Sequence, residues 1–507
     1  MDEGMTRENI RMRLTDLYAA LSDAALIGPR DAAIIGIADD SRAVRPGDLF
    51  VAVHGERVDG HRFIDAALAR GAAAVLCQAA PADTPPVPHI VVPDARAALA
   101  DVAAAFYGHP STRLRVVGVT GTDGKTTTCF LLHALLQGTG RPAGLSSTVA
   151  VRVGAQSRPP TSGYTTPPAP EVQRLLGEMA AAGCAYAVVE ASSHALMLDR
   201  LRGCHVDAAI LTNITSDHLD FHGTLENYRA AKARLFRGLG AYPKPGQMSV
   251  AILNRDDASY GAMRAASAAP TLSYGLRSDA AVRASSVDVA AEGIRFRATT
   301  PRGNMDVRSP LIGRFNVSNL LAALAFAVVE EIDLEAVAAA LGAMPGVPGR
   351  MRRVDAGQPF AVVIDYAHTP HALATVLDTL RALTAGRLIV VFGAPGERDR
   401  AKRPAMGRVA AARCDVVILT DDEPRGEDRL SIIAQIAAGA RAAGLRDGDT
   451  LLLHPDRRAA IHTAVRAARP SDTVLLAGKG HERSITTGTT PLPWDDEAEA
   501  RAAIASL

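Results

Sequence analysis

The chain has almost no net charge: 55 lysines and arginines against 54 aspartates and glutamates leave a formal +1 over 507 residues. So even a balance provides no long-range field for holding nucleic acid or an anionic membrane, and any anionic ligand must be held by local groups. Cysteine is scarce as well. Cys77, Cys129, Cys184, Cys204 and Cys414 form no CxxC pair, which argues against a zinc site or a disulfide framework and fits a reducing cytoplasm. No apolar run approaches the ~18 residues of a membrane span. The N-terminus mixes Asp2, Glu3, Arg7, Glu8 and Arg11 without a hydrophobic stretch, so neither export nor membrane insertion is expected. Lysine is the rarest cation, at positions 125, 232, 244, 402 and 479 only. Where arginine is the default, a lysine hints at a need for a compact or reactive primary amine.

Apolar residues make up 48% of the chain and charged ones 21%, enough for ordinary packed cores. The length exceeds what one core usually serves, so about two to four domains are expected. A first segment, residues 1–112, contains DDSRAVRPGDLFVAVHG, a helical stretch near 61–70, AAAVLC and HIVVPD, and reads as a small α/β domain. A second, 113–345, opens with the strand LRVVGVT and alternates buried strands (AYAVVE, DAAILTN) with helices, which implies a mainly parallel sheet. Around 280–310 the pattern turns irregular and strand-like before GRFNVSNLLAALAFAVV starts a helix. The third, 346–507, follows the linker MPGVPGR. Its apolar runs AVVID, RLIVVFG, CDVVILT and DTVLLAG each end in a polar loop: DYAHTP, GAPGERDR, DDEPRGED and GKGHER. In an open α/β sheet such strand-end loops line one site.

GTDGKTTT (121–128) lies between a buried strand and a helical pattern, the setting in which backbone N–H groups and a helix N-terminus cradle phosphates. Lys125 would reach the β- and γ-phosphates and Thr126 would ligate Mg²⁺. The match is to the shorter GxxGKT form, since Val119 stands where a longer pattern has glycine. Glu190 closes its strand where a carboxylate can hold Mg²⁺, although a solvated strand end is the plainer reading. His218, just beyond another strand, is either a ligand or a cap. Lys232, in the amphipathic stretch ENYRAAKARLF, is either a surface residue or an amine that must react. GERDR, DDEPR and GKGHER place arginines and carboxylates on adjacent loops, suited to a zwitterionic ligand.

In order along the chain, GVTGTDGKTTT, TTPP, EASSHAL, TNITSDHLDFHG, YRAAKARLF, GRFNVSN, VPGRM, DYAHTP, DDEPR and GKGHE resemble the Mur ligase family. DSRAVRPGDLFVAVHG resembles the uridine-nucleotide domain of its muropeptide-synthesising members. The resemblance implies an α/β protein of three domains: an N-terminal UDP-MurNAc-binding domain, a central P-loop ATPase-like domain and a C-terminal Rossmann-like domain. It implies ATP-dependent amide formation through an acyl phosphate, adding meso-2,6-diaminopimelate to UDP-N-acetylmuramoyl-L-alanyl-D-glutamate in cytoplasmic peptidoglycan precursor synthesis. ATP and Mg²⁺ would be the cofactors and small molecules the partners, with no nucleic acid, no membrane insertion and a monomeric chain.

By motif position, Gly121, Thr122, Asp123, Gly124, Lys125, Thr126, Thr127, Asn316, Asn319 and Arg350 would bind ATP. Lys125, Glu190, His218, Lys232, Asp365 and His368 would be catalytic, and Thr126, Glu190, His218 and Lys232 would hold metal. Lys232 would be carbamylated to N6-carboxylysine, which arginine could not be. Ser41, His54, Thr165, Thr166, Ser193 and Arg200 would meet the UDP-MurNAc-dipeptide. Arg398, Asp422, Glu423, Arg425, Gly478 and Glu482 would meet the incoming amino acid. The chain departs from the diaminopimelate-adding pattern DNPR by carrying Glu423, and Leu198 stands where glutamine is common after SSHAL. Alternatives are the same chemistry with L-lysine or another amino acid, and a non-catalytic sensor of ATP and a UDP-sugar.

Overall fold

The computed structural model describes residues 10–55 and 58–507, so Asp2, Glu3, Arg7 and Glu8 lie outside the described residues. Two compact units divide the chain. The first runs to residue 285 and adds 298–305 and 318–341; the second comprises 286–297, 306–317 and 342–507.

Two sheets organise the first unit. The smaller has the order Ala25–Ile27, His89–Val91, Ala74–Cys77, Asp48–Val51, Gly36–Ala38, with only the Ala25–Ile27 pairing antiparallel. DLFV and AVLC are unbroken buried runs, as expected of strands covered on both faces. The helix Ala95–Phe106 covers one face, with Leu99, Val102 and Phe106 in the same core as Leu49, Val51, Leu76 and Ile90. Asp94 caps that helix, accepting from the amides of Arg96 at 2.9 Å and Ala97 at 3.1 Å.

The larger sheet carries the parallel series Ala143–Ser146, Tyr186–Glu190, Arg115–Thr120, Val206–Leu211, Val250–Asn254, Thr271–Gly275. From Arg115–Thr120 the chain skips outward to Ala143–Ser146, returns to insert Tyr186–Glu190, then crosses to Val206–Leu211. The order therefore reverses around Arg115–Thr120. Glu190 pairs with Val119 and Leu211 with Thr120, so three strand ends finish level at the crevice where α/β sheets bind ligands. The stretch read as irregular and strand-like forms three strands, Val282–Ala290, Gly293–Thr300 and Gly303–Ser309.

The second unit holds a six-stranded sheet: Arg352–Val354, Ala361–Asp365, Thr473–Ala477, Leu388–Phe392, Val416–Leu419, Leu451–Leu453. All pairings are parallel except the first. Pro370–Leu383, Lys402–Ala411 and Arg429–Ala442 share a core with one face, while Arg457–Ala467 and Asp496–Ala505 share a core with the other. The result is a doubly wound sheet of the Rossmann kind. Leu451–Leu453 is an edge strand that the sequence reading did not contain. No helix among the described residues is long and apolar enough to cross a membrane.

Candidate functional site

The loop 121–124 joins the central strand Arg115–Thr120 to the helix Lys125–Gly138 and can be built only with glycine at both ends. Gly121 has φ +153° and Gly124 has φ +82°. A Cβ on Gly121 would strike the Thr212 hydroxyl, and one on Gly124 the Asn319 side-chain oxygen. The loop is tied to the next strand end, Thr122 N donating to Asn213 O (2.8 Å) and Asp123 N to Asn213 Oδ1 (2.9 Å). Lys125 folds back, its Nζ donating to Thr122 O at 2.7 Å. Thr126 Oγ1 donates to Glu190 Oε1 at 2.9 Å, so two residues proposed to hold metal already converge. The other Glu190 oxygen accepts from the Thr148 amide and hydroxyl, both at 3.0 Å. Thr148 was not singled out in the sequence, where it carries no more signal than any polar loop residue, and Asn213 entered only as part of the motif TNITSDHLDFHG.

Lys232 is not a surface residue. Its side chain is 1% exposed, and Nζ donates to Gly121 O at 2.6 Å. The Tyr228 ring, one helical turn earlier, lies 4.5 Å from that nitrogen, and the Tyr228 hydroxyl meets Thr122 Oγ1 at 3.1 Å. Burial, then Lys125, pushes the Lys232 amine far below its ordinary range against the opposing pull of Asp217, Asp123 and Glu190. His218 has φ +52°, sits at the N-cap of the short helix Leu219–His222 and makes no side-chain cap bond. Its ring packs edge-on to His194 at 4.8 Å. Burial, with Lys125 and Lys232 near, holds it below the usual histidine range and so favours the neutral, metal-binding imidazole. No group of three His, Cys, Asp or Glu side chains suited to a metal occurs among the described residues. The donors present suit Mg²⁺, which takes one or two carboxylates and completes its shell with phosphates and water.

Of the residues assigned to the uridine-nucleotide dipeptide, Thr166 is buried and linked to the Glu190 strand end. Its Oγ1 donates to Glu190 O at 2.6 Å and accepts from Ser192 N at 3.0 Å. Thr165, beside it, is half-buried. Arg200 donates to Thr166 O at 2.8 Å and stacks over Tyr164 at 4.2 Å. Ser193 Oγ contacts His222 Nε2 at 3.0 Å. Ser41 opens the short helix Ser41–Ala43, and exposed His54 follows the next strand, Asp48–Val51.

In the second unit Asp365 closes its strand, its carboxylate accepting from Met351 N (2.7 Å) and Ala367 N (2.8 Å). His368 Nδ1 meets Tyr366 O at 2.9 Å; burial and then Lys402 hold that imidazole low. Arg350 stacks on Tyr366 at 4.4 Å, and buried Asn316 donates to Ile312 O at 2.8 Å. The strand-end loops share one sheet edge. Lys479, fully buried, places Nζ 2.5 Å from Glu482, 3.3 Å from Glu423 and 3.8 Å from Asp422. Arg425 Nη2 donates to Glu423 Oε2 at 3.1 Å. Gly478, φ +102°, backs onto Asp422, while Arg398 is exposed. Lys479 was visible in the sequence as one of five lysines and as part of the GKGHER loop, without a role of its own.

A P-loop beside a strand-end carboxylate in one unit, and a doubly wound sheet edged by charged loops in the other, define a nucleotide-dependent α/β enzyme. The chain belongs to the Mur ligase family. The Mur ligase family catalytic domain matches residues 33–107, the Mur ligase middle domain 119–327 and the Mur ligase glutamate ligase domain 349–480. It is 52% identical over 505 residues to a UDP-N-acetylmuramyl-tripeptide synthetase of Roseiflexus sp. (strain RS-1), covering 98% of this chain and 99% of that one. It is 43% identical over 471 residues to a UDP-N-acetylmuramoyl-L-alanyl-D-glutamate–2,6-diaminopimelate ligase of Geobacillus kaustophilus, covering 93% and 95%. A solved structure of a ligase of that diaminopimelate type is similar at 33% identity and TM-score 0.67, over 98% of this chain and 99% of the other. The architecture is the family's three-domain α/β arrangement, and the chain is an ATP-dependent ligase that forms carbon–nitrogen bonds.

Proposed function

We propose that the chain adds meso-2,6-diaminopimelate to UDP-N-acetylmuramoyl-L-alanyl-D-glutamate in cytoplasmic peptidoglycan precursor synthesis, acting as a monomer with ATP and Mg²⁺. The observation that carries this reading is the convergence of Thr126, Glu190 and the P-loop at level strand ends with Lys232 buried behind Gly121. The domains would divide at 112 and 345 for the uridine-nucleotide substrate, ATP and the amino acid.

The D-glutamate carboxylate attacks the γ-phosphorus of ATP, the bond to ADP breaks, and the resulting acyl phosphate is attacked by the amine, expelling phosphate. Lys125 turns its ammonium from Thr122 O to the β- and γ-phosphates, and the amides of 121–127 hold their oxygens. Asn316, Asn319 and Arg350 hold the adenosine. Thr126, Glu190, His218 and carbamylated Lys232 would hold Mg²⁺, which when bound neutralises phosphoryl charge. As an ammonium, Lys232 does not suit a cation; as N6-carboxylysine it does. Thr165, Thr166, Ser193 and Arg200 position the dipeptide, Ser41 and His54 the uridine diphosphate, and Asp365 and His368 act from the third domain. Arg398, Asp422, Glu423, Arg425, Gly478 and Glu482 receive the amino acid.

A second reading, the same chemistry with L-lysine, is favoured by one observation: Arg425, the guanidinium suited to a distal carboxylate, is already paired with Glu423. The test is ADP release with ATP, Mg²⁺ and UDP-MurNAc-L-Ala-D-Glu, adding meso-diaminopimelate, L-lysine or no amino acid, with product mass measured. Turnover dependent on an amine is expected. ATP binding with no product from either amine would replace the ligase by a nucleotide sensor.

A further inference from the structure

We propose that Thr148 is a positioning residue for Glu190: its amide and hydroxyl fix one carboxylate oxygen and leave the other turned to Thr126 and the cation. The inference rests on the reading that Glu190 helps to hold Mg²⁺.

Glu190 ends a strand flanked by two others and is 2% exposed, so protein groups must supply the donors its carboxylate needs. Threonines from three separate segments meet it. Thr126, just past the phosphate loop, donates to Oε1 at 2.9 Å. Thr148 donates to Oε2 through both N and Oγ1, each at 3.0 Å. Thr166 donates to the main-chain oxygen at 2.6 Å.

The two carboxylate oxygens are therefore not equivalent. Oε2 takes two donors from a single residue, whereas Oε1 takes one hydroxyl, that of the residue read as a metal ligand. A hydroxyl that gives a lone pair to a cation keeps its proton for Oε1, so Thr126 can serve both partners. Thr148 has no such second task. It is also firmly placed, at the tip of the turn that joins Ala143–Ser146 to Val151–Val153, antiparallel strands paired through Ser146 and Val151. The Ser147 amide and hydroxyl donate to Ala150 O at 3.1 and 3.0 Å, and Ser147 Oγ accepts from Ala150 N at 3.1 Å, which closes the turn. Ser146 pairs with Val189, so the turn begins level with the end of the Glu190 strand. An unheld carboxylate rotates about its last bond and presents either oxygen. The two bonds from Thr148 remove that freedom before any ligand arrives, as partners that orient a metal-holding carboxylate do.

The test is Mn²⁺ binding, read by electron paramagnetic resonance with a non-hydrolysable ATP analogue, in the wild type, Thr148→Val, Thr148→Ser and Glu190→Gln. Thr148→Val keeps the shape and the amide but removes the hydroxyl, which Thr148→Ser retains. Thr148→Val is expected to raise the Mn²⁺ Kd about tenfold, the scale of losing a partner that orients a metal-holding group, with Thr148→Ser within about threefold of the wild type. In EDTA the analogue alone should bind Thr148→Val and the wild type alike. During turnover, the Mg²⁺ concentration for half-maximal rate should rise in step with the Mn²⁺ Kd while the KM for the amine stays put. An unchanged Mn²⁺ Kd in Thr148→Val overturns the inference, as does a Thr148→Ser as weak as Thr148→Val. Loss of metal-free analogue binding in Thr148→Val overturns it too, since the residue would then be structural. Those results leave the reading of Glu190 standing; unchanged Mn²⁺ binding in Glu190→Gln removes that reading, and this inference with it.

Discussion

At the scale of single residues, Lys232 combines properties that a structural lysine has no need of. It is buried, donates to the first glycine of the phosphate loop and lies beside a second lysine that disfavours its charge. An amine pushed down in this way becomes neutral nearer to physiological pH, and the neutral form is the one that takes up CO₂. Raising the pH through that lowered pKa therefore increases the reactive fraction, so activation by bicarbonate is expected to strengthen with pH from the acid side. Lys232→Ala is expected to lower kcat by about a hundredfold or more, the scale of losing one charge-stabilising group. Added bicarbonate or a short carboxylic acid would restore part of it, whereas Lys232→Arg, unable to lose its charge, would be as poor as the alanine variant. Full activity of Lys232→Ala in bicarbonate-free buffer would set this role aside. The sequence already hinted at the residue through the rarity of lysine; its contact with Gly121, 111 positions away, needed the fold.

Among elements, the loops of the second unit are braced by buried arginines. Arg457, at the start of the helix Arg457–Ala467, holds Asp496 through Nε (2.8 Å) and Nη2 (2.7 Å). It also donates to Asp421 O (3.1 Å) and Ala477 O (3.0 Å), the carbonyls from which the DDEPR and GKGHER loops spring. Arg403 does the same for the neighbouring pair of loops, bonding Glu427 at 2.7 and 2.9 Å and Pro395 O at 3.0 Å. Removing one partner strands a buried charge, so Arg457→Met is expected to destabilise the protein by about 3–5 kcal/mol in urea unfolding. The double variant with Asp496→Leu should lose clearly less; equal losses would show that the pair is not coupled. The loops themselves were legible because each follows an apolar run that must be a buried strand. The brace was not, since Arg457 and Asp496 are 39 residues apart and each reads alone as a surface charge. Leu451–Leu453 escaped notice because three leucines at a sheet edge, the last two not fully buried, show neither alternation nor length.

For the whole molecule, family and fold class were legible because ten motifs keep their order, while the route of the chain was not. Segments 286–297 and 306–317 belong to the second unit although the first resumes on either side, and no shift in composition marks those exchanges. Nucleotide binding gives a measurement at this scale. ATP at about 100 times its Kd adds about 2.7 kcal/mol of stability if it binds only the folded state. Hydrogen exchange is expected to slow at 121–128 and 186–190 with ATP–Mg²⁺ alone, and at 422–425 and 478–482 only when an amine is added. Unchanged exchange at 121–128 would remove the phosphate loop from the site. The five cysteines carry a practical consequence. All are buried, and burial pushes the thiols of Cys129, Cys204 and Cys414 upward, so maleimide reagents should find the native protein nearly silent. Cysteines introduced at exposed Met248 and Leu507, one in each unit, would then accept a donor–acceptor dye pair without prior removal of native thiols. The distance between the two dyes could be followed by fluorescence in the otherwise unaltered enzyme.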